Sequence, residues 1–349
     1  MAKYIVRQAL YSLLILWGVI TILFLILNLL PSPERMLSGQ RTDVSSAENI
    51  KKQLGLDKSP MERYFIYMNN LLPITFHEDT PQKQAELNYT KLFSIGSNAL
   101  VVKAPYLGRS YQRNTLVSDI LAEKIPPTLI LALTSILLAL FIGIPFGILA
   151  ALKHNRWPDD AVLSLSVFGI SQPSYVVALI LAYVLAVQLK DFTGLSVRAP
   201  LFDYEFGEQT IIWSNLIIPT LALGIRPVAI IMQMTRSSML DVMSSDYIRT
   251  AKAKGLSNAV VIGKHTLRNA LNPVLTSASG WFAGLLAGSV LVETVVDYKG
   301  LGSELFDSLL NLDLPVLMGI VLFIAVVYVV VNILTDIGYA FLDPRVSYK

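Results

Sequence analysis

Charge vanishes from this chain in long blocks. Five runs, Leu10–Leu30, Thr128–Leu152, Ala161–Leu189, Asn269–Val292 and Leu314–Thr335, contain no Asp, Glu, Lys or Arg. A sixth, Trp213–Thr235, is interrupted only by Arg226. Crossing about 30 Å of hydrocarbon takes roughly 20 helical residues at about 1.5 Å each. Backbone amides in lipid need partners inside their own segment, so runs this long read as helices rather than barrel strands. The pattern predicts an all-α integral membrane protein with six transmembrane helices.

Composition agrees. Of 349 residues, 54% are hydrophobic and 15% charged, with a mean hydropathy of +0.56. Soluble domains carry about 25% charged residues, so most of this surface faces something other than water. The apolar content excludes disorder, the absence of cysteine excludes a disulfide scaffold, and a net charge of +3 argues for no nucleic-acid partner. Lys3 and Arg7 precede the first run as in a secretory signal. The run exceeds the usual 7–15 residues or so of a signal's apolar region and ends at Asn28-Leu29-Leu30 without a small-residue cleavage site, so a retained span is expected.

Lys and Arg are roughly threefold denser in segments 1–9, 153–160, 236–272 and 342–349 than in 190–212 and 293–313, which places both termini in the cytoplasm. The expected organisation is then residues 1–30 as N-terminal tail and first span, and 31–127 as an external subdomain between helices 1 and 2. A five-helix core follows at 128–341, with an inner loop at 236–272, and then a cytoplasmic tail at 342–349. Within the external segment, Leu54–Leu72 has a helical look and Pro73–Pro105 is poorly patterned.

Fuel and catalytic sites are missing. Gly263-Lys264-His265-Thr266 lacks the leading glycine and the Ser/Thr after lysine of a phosphate-binding loop. His77, His154 and His265 lie in separate segments, and no cluster has metal-ligand spacing. No nucleophile–base pair can be argued, so no catalytic, metal or cofactor-binding residue is expected. Gly143 and Gly147 lie within a span, where they suit close helix packing.

The inner loop breaks into two helices. Ser245–Lys254 opens on Ser244, Ser245 and Asp246 and carries its cations near the end, matching the helix dipole. Gly255 can take the left-handed turn that stops it. Ser257 or Asn258 can cap a second short helix with Leu256, Val260, Gly263 and Leu267 on one stripe. Such an amphipathic piece suits either a partner's groove or the lipid headgroups.

Asp246-Tyr-Ile-Arg249-Thr-Ala251-Lys-Ala-Lys-Gly255-Leu256, followed by His265-Thr-Leu-Arg268-Asn-Ala-Leu-Asn-Pro273-Val274, resembles the cytoplasmic loop of ABC-importer permeases of the dipeptide/oligopeptide type. Arg249-Thr250-Ala251 stands where the broader signature has Glu-Ala-Ala. Further matches are Ile125-Pro-Pro-Thr-Leu129, Gly143–Ala151, Thr235–Leu240, Glu293-Thr294 with Gly300-Leu-Gly302, Asp313-Leu-Pro315 and Asp343-Pro-Arg345. In the external segment, Leu54-Gly-Leu-Asp57 and Leu107-Gly-Arg-Ser110 look like landmarks of the same family. The departures are an insertion at 73–105, Lys299 in place of proline, and the charge at Arg226.

The resemblance implies a pore-forming inner-membrane subunit of a bacterial importer, with no ATPase site of its own. Its implied partners are a second permease, two cytoplasmic ATPases that hold ATP and Mg, an external solute-binding protein, and membrane lipid. Coupling to the ATPases would run through Arg249, Ala251, Gly255, Leu256, Ser257, Val260 and Gly263, by docking rather than headgroup binding.

Arg226 sits mid-span between Gly224 and Pro227, where a lipid-facing Arg costs several kcal/mol or so. It either faces the pathway, attracting a peptide carboxylate, or pairs with an acid such as Glu293 or with a carbonyl freed by Pro227. Gln172, before the Pro173 kink, and Glu293 complete the candidate pathway set, Glu293 being expected at the interface. Two rivals differ in signature. An ion- or proton-coupled carrier would carry acidic relays and related halves, and a membrane-embedded enzyme a convergent polar constellation. Neither is visible.

Overall fold

The structure is a computed structural model describing residues 2–28, 57–96, 98–198, 200–205, 208–287 and 289–342. Leu29 and Leu30 of the first run, Leu54–Leu56, most of the tail 342–349 and Asp343-Pro-Arg345 lie outside the described residues.

Helices dominate, as the apolar runs require. In chain order they include α1 (Ala2–Asn28), α2 (Pro60–Leu71), α3 (Pro81–Leu87), α4 (Val117–Leu152), α5 (Trp157–Ser171) and α6 (Ser174–Leu181). They continue with α7 (Ile217–Met243), α8 (Asp246–Ala253), α9 (Arg268–Leu286), α10 (Val290–Val295), α11 (Leu301–Leu310) and α12 (Leu314–Leu342). Among the described residues, Val117–Leu152, Trp213–Met243 and Leu314–Ile337 are long and apolar enough to cross a membrane. A fourth span is formed if the bent pair Trp157–Ser171 and Ser174–Gln188 counts as one.

Several expectations change. The chain is not purely helical. Two antiparallel sheets appear: β1 (Ile74–Glu78), β2 (Thr90–Ile95) and β3 (Asn98–Val102) in the order β1-β3-β2, and a hairpin of β4 (Phe202–Glu205) and β5 (Glu208–Ile211). The helix that contains the second run begins at Val117 and carries Pro126 and Pro127 inside it, so the boundary at 127/128 falls within a helix. Asp119 in its first turn suits the positive end of the dipole. The third run is no single helix: at Gln172-Pro173 it turns by 98°. Proline removes an amide and restricts the residue before it, and Gln172 duly takes an extended conformation. The fifth helix ends at Leu286 and resumes as the short α10.

The chain divides into two compact units. The first comprises residues 1–12, 124–306 and 324–349, the second 13–123 and 307–323. In the first unit α7 is the centre, packed against α5, α6 and α9. Gly143 and Gly147 of α4 permit the close approach expected of them. A Cβ at Gly143 would lie 2.8 Å from Ile231 Cγ2, and one at Gly147 2.6 Å from the Met232 carbonyl oxygen. In the second unit, Ser59 caps α2 with a reciprocal Ser59–Glu62 capping box. The residue pair Ser110 and Asp313 ties two distant landmarks: the buried Asp313 carboxylate accepts the Ser110 hydroxyl, the Tyr111 amide at 3.0 Å and the Gln112 amide at 3.4 Å.

Candidate functional site

The inner loop folds as its residues dictate up to Gly255. Helix α8 buries Ile248 and Ala251 and exposes Arg249, whose guanidinium lies 3.4 Å from Asp246. Ser245 stands at the N-cap, yet its hydroxyl donates to the Val242 carbonyl at 2.6 Å instead of capping. Gly255 has φ +77°, the left-handed conformation that ends the helix.

Beyond it the prediction of a separate short helix needs correcting. Asn258–Val260 runs through a π-helical stretch, Val261–Leu267, directly into α9. The π register leaves Val261 and Thr266 buried while residues 252–260, Gly263 and Lys264 are exposed. Leu256 and Val260 are thus large apolar side chains on the surface, beside Ser257 and the uncovered Gly263. Their exposed patch is carried on the end of a helix that reaches back to Leu286.

A polar latch close by was not anticipated. Asp159 in the first turn of α5 is 1% exposed and binds Arg236 of α7 through Nε and, at 2.8 Å, Nη2. The same carboxylate accepts the Asn155 amide at 3.0 Å and meets His154 Nδ1 at 2.9 Å. Arg236 was visible in sequence as part of a motif. Asp159 had no motif around it, and only folding brings it 77 residues along the chain to its partner.

Arg226 is half-buried in the middle of α7, which runs unbroken through Gly224 and Pro227. Gly224 packs closely against α4, where a Cβ would lie 2.8 Å from Leu138 Cδ2. The guanidinium carbon sits 6.0 Å from the centre of the Trp281 ring of α9, a cation–π distance. Its Nε has no hydrogen-bond partner among the described residues. Pairing with Glu293, the alternative raised by sequence, is not made.

Glu293 is fully buried, because a loop closes over it. Its carboxylate accepts the Ser303 amide at 3.0 Å, and a Cβ at Gly300 would come within 2.6 Å of Oε2. Thr128 Oγ1 accepts the Leu301 amide at 2.7 Å, and the Tyr298 hydroxyl donates to the Pro127 carbonyl at 2.7 Å. Three motifs separated in sequence (125–129, 293 and 300–302) therefore form one knot. Glu293 holds a backbone turn. Gln172, half-buried, sits at the break between α5 and α6.

Residues 143–348 match the family described as binding-protein-dependent transport system inner membrane component, and residues 1–134 match the N-terminal part of such membrane components. The chain belongs to this family. The permease is 32% identical over 350 residues to the glutathione transport system permease protein GsiC of Escherichia coli O6:H1, with all of both chains covered. Against GsiC of Shigella dysenteriae serotype 1 the identity is 31% at the same coverage. Its fold is similar to a chain of the inward-facing MetNI methionine ABC transporter, with a TM-score of 0.52 and 15% identity, covering 65% of this chain and 97% of that one. The protein is thus an inner-membrane permease of the ABC importer type, which sets aside the ion-coupled carrier.

Proposed function

We propose that the permease forms half of a peptide pathway and is driven by ATPases docked beneath it. The observation that carries this reading is the exposed Leu256–Val260–Gly263 patch, presented beyond a left-handed Gly255 at the start of a helical segment that runs on to Leu286. An apolar knob of that kind suits a groove on a partner, and Arg249 and Ser257 supply polar contacts at its margin. Ala251, buried beneath, sets the height of the knob. ATP and Mg belong to those partners, with a second permease and an external solute-binding protein completing the importer.

Six spans with both termini in the cytoplasm put this patch inside and segment 31–127 outside. The relatives named for glutathione, a tripeptide, support short peptides as cargo. Arg226 offers a mid-span cation for a peptide carboxylate, with Trp281 adjacent to its guanidinium. Gln172 at the helix break is the second pathway candidate. Glu293 acts from behind as a positioning residue.

Deleting residues 255–263 tests the reading. The expected result is a protein that still inserts and pairs but no longer stimulates ATP hydrolysis or takes up labelled dipeptide. Unchanged uptake by that deletion would refute it.

A further inference from the structure

The unit of residues 13–123 and 307–323 contains a cavity of about 280 Å³. Lys58, Arg63 and Arg109 line it, and among the described residues no Asp or Glu does. Lys58 and Arg63 make no ion pair among the described residues. Arg109 uses one of its five N–H groups on the Asn114 carbonyl, at 3.0 Å. Like charges gathered around one cavity repel, and an anion between them removes the repulsion.

The walls are tied together without any ligand. Tyr64 fastens α2 to α1 through a 2.7 Å hydroxyl contact with Thr21 and an edge-on ring contact with Phe24 at 5.3 Å. The Asn70 carbonyl at the end of α2 accepts the Tyr106 amide at 2.9 Å. Asp313 fixes the Arg109 loop to the turn that starts α12. Burial pushes the Tyr67 phenol above its ordinary value, so this lining residue stays a neutral hydroxyl at physiological pH.

Two features select among anions. Part of the apolar lining comes from Phe24, near the end of α1, and from Leu314 and Met318, at the start of α12. In the proposed topology both lie at headgroup depth on the outer side. Helix α2, outside any span, also exposes Met61 and Phe65 one turn apart, as a helix resting on an interface does. A dissolved anion has no use for either.

We propose that the Lys58–Arg63–Arg109 cavity binds the phosphate headgroup of an anionic phospholipid of the outer leaflet, a proposal that rests on segment 31–127 lying outside. The bound lipid would tie α2 and the start of α12 to the leaflet.

Native mass spectrometry of the full chain, purified with phosphatidylglycerol or phosphatidylethanolamine, reads retained lipid directly. Wild type should keep phosphatidylglycerol selectively. Arg63→Gln with Arg109→Gln should lose it by roughly tenfold or more, given about fivefold per cation near an anionic surface. Arg63→Lys with Arg109→Lys should keep it within about threefold, since Lys retains the charge. Arg198→Gln, which removes an exposed cation that is not among the residues lining the cavity, should leave it unchanged. Equal retention by the double Gln variant, or equal loss in Arg198→Gln, overturns the site. Glycerol phosphate stabilising the lipid-free chain as much as the lipid does overturns the lipid assignment in favour of a free anion. The chain has no cysteine, so Lys58→Cys can be labelled in spheroplasts with an impermeant maleimide. Absence of labelling sinks the topology and the leaflet with it. Labelling without selective retention sinks the lipid site alone.

Discussion

Removing the carboxylate of Asp159 should loosen the inner ends of α5 and α7. The Asp159 side chain is 2% exposed and its partner Arg236 17%, so neither is well hydrated. Taking one partner from a buried pair costs about 3–5 kcal/mol, because the other charge stays buried and uncompensated. Arg236 keeps its 3.2 Å contact with His154 Nδ1 and some water, which puts Asp159→Ala near the lower end, about 3 kcal/mol. The Asn155 amide also loses its acceptor, adding about 1 kcal/mol. Arg236→Ala should cost a similar amount, since it strands the carboxylate. The double variant should cost well below the sum, with a coupling of about 2 kcal/mol, within the range for residues in one network. The assay is detergent-induced unfolding of the full chain, followed by tryptophan fluorescence, on wild type and the three variants. Additivity within about 0.5 kcal/mol would mean that the two side chains do not act as a pair.

Two further outcomes follow from packing. Gly147→Ala places a methyl 2.6 Å from both the Met232 carbonyl oxygen and Thr235 Cβ and should destabilise by about 1–3 kcal/mol in the same assay, whereas Gly18→Ala, with nothing within 4 Å, should not destabilise. Asp313→Ala strips three acceptor contacts from residues 110–112, so trypsin should cut at Arg109 or Arg113 about tenfold faster, the effect of roughly 1.4 kcal/mol of local opening; an unchanged cutting rate would count against the clamp.

Sequence determined what depends on neighbours along the chain. Uncharged runs had to become helices, because lipid offers the backbone no partner. Gly255 had to stop α8, and Pro173 had to interrupt the third run. The family itself was legible in the inner loop. What depends on neighbours in space was not. Strand β1 buries Thr75 and His77 and exposes Ile74 and Phe76, the reverse of the usual alternation, so a reading by hydrophobicity finds no strand there. The π turn at Val261–Leu267 shifts which residues face inward, and no local signal marks it. Ser110 meets Asp313, Asp159 meets Arg236, and Thr128 meets Leu301 across gaps of 77 to 203 residues. Glu293 could be recognised as a landmark, but only the closed turn at Gly300–Gly302 makes it a buried brace. A hydrogen bond or a buried charge is decided by whichever group arrives opposite it, and that is a property of the packed chain.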